Sequence, residues 1–371
     1  TVFLENEAQA VKILENRKEL RDLETVVFYD SVSPEMIKAL KNAKIAVYFF
    51  DEIMARGIEF RSDNEGVVER ELEAGTEDEV ATIIFTSGTT GEPKGVILTH
   101  GNFLCQLPSL RERIPLNPGD RALCVLPVWH SFERMCEYVI LDRAGGIIYS
   151  KPIGSILLAD FVSMNPTLMP SVPRIWESVY DGIYRAMRKK GGVSLVLFSF
   201  FVSVAIAYGR CSRSVLGNKP VFSRVRRWTD AFLCVIPWLL LFPLRALGDL
   251  LVFKKIRAKL GTRFIEGVSR GGALPPNIDE FFWSVGVRVF EGYGLTETAP
   301  VVAVRPFSKP VFGTIGTPLD CCEVRIVDTE GRELPPGQKG CVLVRGKNVM
   351  KGYYRKQELT DKVLSPDGWF N

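Results

Sequence analysis

The chain has 371 residues, 46% of them apolar and 24% charged, a mix that excludes a disordered polypeptide and a length too great for one ordinary core. Its net charge of +4 hides an uneven spread: fifteen Lys or Arg against only Asp230 and Asp249 lie between Arg185 and Lys259, so the rest is net acidic. Two histidines, His100 and His130, exclude a histidine-rich metal site, and eight cysteines without a Cys-x-x-Cys pair suit reduced, mostly buried thiols in a cytosolic setting.

The N-terminus lacks a signal-peptide pattern and opens on Val2–Leu4, which reads as the end of a strand, as if the chain began inside a domain. Residues 6–20 have helical spacing, Thr25–Tyr29 is a short β-branched and aromatic run, and Ser33 is a good N-cap for a helix over Pro34–Lys41. Strand–helix–strand alternation of this kind predicts a parallel sheet covered by helices. The acidic stretch 65–79 reads as a loop, and Val80–Phe85 as a buried strand feeding a Gly/Ser/Thr-rich turn. After about residue 300, short alternating runs (Cys322–Val327, Cys341–Arg345) separated by Pro/Gly turns predict an antiparallel, barrel-like unit. The expected fold is therefore α/β, with stacked, mostly parallel sheets covered by helices over 1–299 and a smaller antiparallel β-barrel-like subdomain over 300–371. A basic, apolar insert occupies about 185–259.

Residues 85–95 read Phe-Thr-Ser-Gly-Thr-Thr-Gly-Glu-Pro-Lys-Gly. Gly88, Gly91 and Gly95 let backbone approach a polyphosphate, Thr86, Ser87, Thr89 and Thr90 add hydroxyls, and Lys94 adds positive charge. This is not the nucleotide loop in which Gly-Lys-Ser/Thr opens a helix, because Lys94 precedes Gly95 and the strand-like Val96–Leu98. About 200 residues on, Phe-Glu-Gly-Tyr-Gly-Leu-Thr-Glu-Thr-Ala-Pro (290–300) sets Tyr293 between Gly292 and Gly294, where its ring can lie flat on a base. Thr296 offers a hydroxyl to phosphate, and Glu297 is a hard oxygen ligand suited to Mg²⁺.

In this order and at this spacing, the two segments resemble the signatures of the adenylate-forming superfamily of acyl-CoA synthetases, adenylation domains and luciferases. The Leu126–Arg134, Met169–Glu177 and Asn348–Tyr354 stretches are similar to the long-chain fatty acid–CoA ligase branch. The resemblance implies a catalytic set of Lys94, Thr296, Glu297 and His130, with His130 beside the acyl-adenylate. It also implies nucleotide binding by Thr86, Ser87, Gly88, Thr89, Thr90 and Gly91, by Gly271, Gly272 and Ala273 at the adenine, and by Glu291, Gly292, Tyr293 and Gly294. Where the family usually has Ser-Gly-Gly, this chain has Ser269-Arg270-Gly271-Gly272. The implied reaction joins a fatty carboxylate to the α-phosphate of MgATP and then passes the acyl group to CoA. Neither an organic prosthetic group nor a nucleic acid is implied. Relatives continue past Asp367–Asn371 into an Asp that grips the ribose and a domain bearing a catalytic Lys, so the resemblance implies that these 371 residues alone are inactive or nearly so. An aryl-CoA ligase, a peptide-synthetase-type adenylation domain and a catalytically dead nucleotide-binding membrane scaffold are the alternatives.

In the insert, Val193–Gly209 and Ala231–Leu244 carry no charge, and the second contains Pro237 and Pro243. Runs this short, bracketed by cations, suit a segment lying in the interface of an anionic membrane, on the inner face of which the protein would sit peripherally in the cytoplasm. Two buried helices lining an acyl tunnel, or a hairpin of two spans, are the other readings.

Overall fold

The computed structural model describes residues 1–87, 92–220 and 224–371, and divides the chain into two units, Thr1–Thr76 and Glu77–Asn371. In the first, β1 (Val2–Leu4), α1 (Glu7–Glu15), β2 (Thr25–Phe28), α2 (Pro34–Asn42) and β3 (Ala46–Phe49) alternate as expected. The three strands form a parallel sheet in the order β1-β2-β3. Val26, Phe28, Met36, Leu40 and Ile45 are buried in its core. Ser33 caps α2 by accepting the Met36 N–H at 3.2 Å, and its hydroxyl donates to Glu7 Oε1 at 2.8 Å. The helices α3 (Phe50–Asp63) and α4 (Val67–Ala74) follow. The second corrects the loop expected over 65–79: Glu, Arg, Leu and Ala are strong helix formers, and acidity alone does not break a helix.

The second unit opens with a hairpin of β4 (Val80–Ser87) and β5 (Pro93–Thr99). The short helices α5 (His100–Leu104) and α6 (Leu107–Arg113) lead to β6 (Arg121–Cys124), α7 (Ser131–Asp142), β7 (Gly146–Tyr149), α8 (Gly154–Met164), β8 (Leu168–Ser171) and α9 (Pro173–Lys190). Next come α10 (Gly192–Val215), α11 (Arg224–Gly248), a π-type turn at Asp249–Phe253 and α12 (Lys254–Arg257). The chain then forms β9 (Glu266–Ser269), α13 (Pro276–Ser284), β10 (Arg288–Tyr293), β11 (Ala303–Val304), β12 (Thr317–Pro318), β13 (Cys322–Val327), β14 (Cys341–Gly346), β15 (Gly352–Tyr353) and α14 (Gln357–Val363).

A seven-stranded sheet, ordered β12-β11-β10-β9-β8-β6-β7, is the backbone of this unit; β10, β9, β8, β6 and β7 run parallel, and β11 and β12 are antiparallel. Its central strands are covered on both faces, so alternate side chains enter different cores. Ala122, Cys124, Leu168 and Val268 pack with Phe132, Met135 and Val139 of α7. Leu123, Met169 and Val289 face the other way, toward Trp176, Phe201, Phe281 and Phe282. Trp176 Nε1 donates to Ser171 Oγ at 2.7 Å, and an added Cβ at Gly267 would lie 2.0 Å from the indole, so only glycine fits there.

One further expectation changes. β4 is an outer strand of the β15-β5-β4 sheet, not a buried one, and Val80, Ile83 and Phe85 are exposed. Beyond residue 300, β11 and β12 extend the large sheet and β15 returns to β5, while β13 and β14 form a two-stranded antiparallel ribbon. All eight cysteines are free; Cys124 is buried, Cys341 exposed, and the rest are partly buried.

A buried arginine ties the parts together. Arg305, whose side chain is 0% exposed, donates to Asp279 Oδ2 of α13 at 3.2 Å, to Glu291 Oε2 of β10 at 2.6 Å, and to the Thr314 carbonyl at 3.1 Å. Glu291 Oε1 accepts the Leu274 N–H at 2.8 Å. Removing the cation while leaving its carboxylates buried is expected to cost about 3–5 kcal/mol. Urea unfolding of Arg305→Met should show that loss; a change below about 1 kcal/mol would mean that the carboxylates are solvated without it.

Candidate active site

Parallel strands leave a crevice at their carboxyl ends, where loops diverge and backbone groups are unpaired. Four sequence-predicted segments sit there. His130 follows β6, Gly271–Ala273 follows β9, Tyr293 ends β10, and Thr296–Glu297 lies in the single 3₁₀ turn after it. Gly271 has φ of +90°, a left-handed conformation that glycine adopts without strain. At Gly294 an added Cβ would fall 1.9 Å from the Pro300 carbonyl oxygen, so this glycine answers to a close backbone approach. Gly292 meets no such contact, its Cβ position lying 3.6 Å from the nearest atom.

The hairpin brings the other signature. Thr86 pairs with Lys94 and Ser87 with Pro93 across β4 and β5. Gly88, Thr89, Thr90 and Gly91 lie outside the described residues. Lys94 Nζ sits 5.3 Å from the centre of the Tyr353 ring, and Tyr353 Oη donates to Glu297 Oε1 at 2.9 Å. The Met350 N–H donates to the Glu297 carbonyl at 2.8 Å, and β15 pairs Tyr353 with Val96 of β5. Lys94 and Glu297, 203 positions apart in sequence, thus meet across one aromatic ring. Burial, followed by the Glu297 charge, pushes the Tyr353 phenol well above its usual range, so it remains a donor. Tyr353 was not among the residues expected from sequence; it lies within the Asn348–Tyr354 stretch, whose role as a bridge has no local signal.

Glu291 Oε2 accepts from Arg305 and Oε1 from the Leu274 N–H, so its carboxylate braces the turn that carries Gly271–Ala273. His130 begins α7, and its Nδ1 accepts the Phe132 N–H at 3.2 Å. Although the residue is exposed, neighbouring atoms crowd the ring; desolvation, more than the Arg270 cation, holds its pKa below the usual histidine value. The imidazole is therefore neutral at pH 7.

Glu133 and Arg134 do not form the ion pair their adjacency allows. Arg134 Nε donates to Tyr138 Oη at 2.8 Å. Glu133 is fully buried, and neither carboxylate oxygen has a hydrogen-bond partner among the described residues. Atoms of Cys124, Glu133 and Glu137 come within 4.8 Å of one another. Burial raises the Glu133 pKa from the usual 4.5 to about 7, offset in part by the thiol of Cys124.

The folded state therefore favours protonated Glu133. Its contribution is most favourable below pH 4.5 and is lost as pH rises toward 7. In chemical denaturation, the stability difference between Glu133→Gln and wild type should move in favour of the glutamine by on the order of 1–3 kcal/mol from pH 4.5 to pH 8. A difference independent of pH would mean that Glu133 is ionised in the fold throughout.

A family model described as AMP-binding enzyme matches residues 1–354. The chain is 39% identical to the probable acyl-activating enzyme 16, chloroplastic, of Arabidopsis thaliana, the match covering 88% of this chain and 46% of the relative. It is 36% identical to the long-chain-fatty-acid–[acyl-carrier-protein] ligase AEE15, chloroplastic, of the same plant, with the same coverage. Further curated relatives are long chain acyl-CoA synthetases. The chain spans less than half the length of these relatives. In fold it is similar to apo MatB from Rhodopseudomonas palustris, with a TM-score of 0.57 at 19% identity over 98% of this chain and 57% of that one. With two signatures converging on one crevice and a family match running through both, the chain belongs to the AMP-binding enzyme family, the adenylate-forming enzymes.

Proposed function

We propose that the chain carries the nucleotide- and acyl-binding part of a long-chain fatty acid–CoA ligase. In this reaction a fatty carboxylate oxygen bonds to the α-phosphorus of ATP and pyrophosphate leaves; the CoA thiol then attacks the acyl carbon and AMP leaves. The observation that carries the reading is the meeting of Lys94 and Glu297 across Tyr353. Lys94 forms no ion pair among the described residues, so its charge is available to the phosphates. Thr86, Ser87 and the loop they enter add donors, Tyr293 stacks on the adenine, and Gly271–Ala273 walls it. Glu297 keeps one oxygen free after binding Tyr353, which fits Mg²⁺, an ion that takes one or two carboxylates and fills its shell with phosphate and water. That ion would neutralise phosphate charge. The protein's own part is positioning and preorganised electrostatics, with Thr296 and the neutral His130 at the acyl-phosphate junction.

The acid class rests on shape. A cavity of about 610 Å³, within the range of ligand pockets, is lined by Leu126, Leu157, Ile175, Val179 and Ile183, with Arg174 and Lys259 among its few charges. A neighbouring cavity of about 370 Å³ shares Ile183, Ala186, Ile256 and Lys259 with it and extends to Leu197 and Leu251 of the insert. Together they offer an apolar path suited to a long acyl chain. A carrier-protein thiol as acceptor is the second reading, favoured by the acyl-carrier-protein ligase among the relatives. In the intact enzyme, Lys94→Ala and Glu297→Ala should each lower palmitate-dependent ATP–pyrophosphate exchange by about 10²-fold or more. Wild-type rates in both variants would remove these residues from the reaction.

We further infer that the insert binds the surface of an anionic membrane from the cytoplasmic side. Its helices run longer than the uncharged stretches suggest: Gly192–Val215 and Val225–Leu260 are each long and apolar enough to cross a membrane by length and composition. The correction arises because a helix continues through charged residues, and because Pro237 and Pro243 sit inside α11 without ending it. Support for surface binding comes from packing. α10 buries Phe198, Phe201, Val202 and Ala205 in the protein core and is tied to α13 by Arg210 and Arg213 with Glu280, each at 2.8 Å. α11 instead exposes Trp228, Phe232, Leu233, Ile236, Leu239 and Leu240. Binding to anionic liposomes should weaken in high salt yet persist in part, because cations add about 1 kcal/mol each near the surface and apolar contact is unscreened. Co-sedimentation of wild type and a variant lacking residues 191–250 tests this; equal sedimentation, or cleavage of the insert by protease inside sealed vesicles, would overturn it.

A further inference from the structure

Arg270 is a buried cation in no ion pair among the described residues, although the Glu297 carboxylate lies within its electrostatic reach. It is 6% exposed and follows β9 at the carboxyl end of the large sheet, where its N–H donates to the Ser171 carbonyl at 3.1 Å. Its guanidinium carbon lies 5.4 Å from the centre of the Phe132 ring, two residues after His130. The side-chain Nε has no hydrogen-bond partner, and no carboxylate forms an ion pair with the guanidinium among the described residues. The contrast with Arg305, equally buried but held by two carboxylates, is direct. A desolvated charge left unpaired costs free energy that the fold has no use for unless a ligand recovers it. Burial lowers the Arg270 pKa to about 10, which leaves it charged at neutral pH.

Resting on the function proposed above, we propose that Arg270 receives the carboxylate of the acid substrate through Nε and a terminal nitrogen, holding it for attack on the α-phosphate. Two features favour a carboxylate over the nucleotide phosphates. A guanidinium edge matches the two oxygens of a carboxylate in one plane. The phosphates already have Lys94, on a different element. Arg270 is thus a binding residue for the reacting group, at the place where the sequence departs from the Ser-Gly-Gly its resemblance leads one to expect.

The test measures binding to the 371-residue chain of palmitate, of hexadecanol as its uncharged analogue, and of ATP, for wild type, Arg270→Lys and Arg270→Met, with thermal unfolding of each. Arg270→Met should weaken palmitate by about 10- to 100-fold, as expected for loss of a charge-assisted pair, and leave hexadecanol and ATP unchanged. Arg270→Lys should recover part of the loss. The midpoint of Arg270→Met should equal or exceed that of wild type, because an unpaired buried charge has been removed. Unchanged palmitate affinity, an equal loss for hexadecanol, or a loss confined to ATP would each overturn the proposal, the last by assigning Arg270 to phosphate. A lowered midpoint with all three affinities reduced together would make Arg270 a structural brace and overturn it too. Wild type that binds neither palmitate nor ATP would instead defeat the functional reading on which the proposal rests.

Discussion

The site depends on the Arg305 cluster, because one guanidinium fixes the relative positions of three segments beside the crevice at the carboxyl end of the large sheet. Glu291 ends in a strand whose next residues are Gly292–Tyr293, and its second oxygen holds the Leu274 N–H, one residue beyond Ala273. Asp279 anchors the helix that follows that turn. Burial raises the Asp279 pKa, and the nearby Arg305 opposes the rise. An ion network this buried adds little net stability over an apolar cluster of the same shape, yet it specifies one arrangement, since any misplacement strands a charge. Fixing a turn and a strand end to within fractions of an ångström is what a preorganised site requires.

The topology explains why residues so distant in sequence converge. Parallel strands deliver every loop that follows them to the same edge of the sheet, which accounts for His130, Gly271–Ala273, Tyr293 and Glu297. The hairpin carrying Lys94 belongs to a different sheet and cannot be delivered that way. It is joined by the two-residue β15, which pairs with β5 and sends the Tyr353 hydroxyl to Glu297. Asn102 and Gln106 reinforce the junction: Asn102 Nδ2 donates to the Lys347 and Val349 carbonyls at 2.7 and 3.0 Å, and Gln106 Oε1 accepts the Val301 N–H at 3.0 Å. A set of backbone groups after the second signature is therefore satisfied by side chains just after the first.

What was legible in the sequence was local. The βαβ rhythm of the first sixty residues, the Ser33 cap and the two glycine-rich segments follow from spacing and residue type, and the structure bears out the α/β architecture. What was not legible depends on partners remote in the chain. Tyr353 gains its place only through β15, and Glu291 finds its partner in Arg305, fourteen positions on. The burial of Val80–Phe85 was misjudged because an apolar run does not reveal whether its strand is central or outer. Glu133 and Arg134 are adjacent in sequence, yet helix geometry turns neighbours 100° apart and sends one inward to Cys124 and the other to Tyr138.

The insert shows the same limit in another form. Counting uncharged residues measures the interval between charges, while a helix is bounded by what breaks its hydrogen bonds. Length therefore does not decide whether α10 or α11 crosses a lipid layer; their attachments do. α10 shares its aromatic face with Trp176, Phe281 and Phe282 and its arginines with Glu280. Withdrawing it into lipid would uncover that core and leave Glu280 without its cations. α11 packs on α10, where Trp238 and Phe242 meet Tyr208, while its other face is exposed and apolar over successive turns. A pair with one member fastened to the protein and the other open to its surroundings is the observation on which the proposed surface attachment rests.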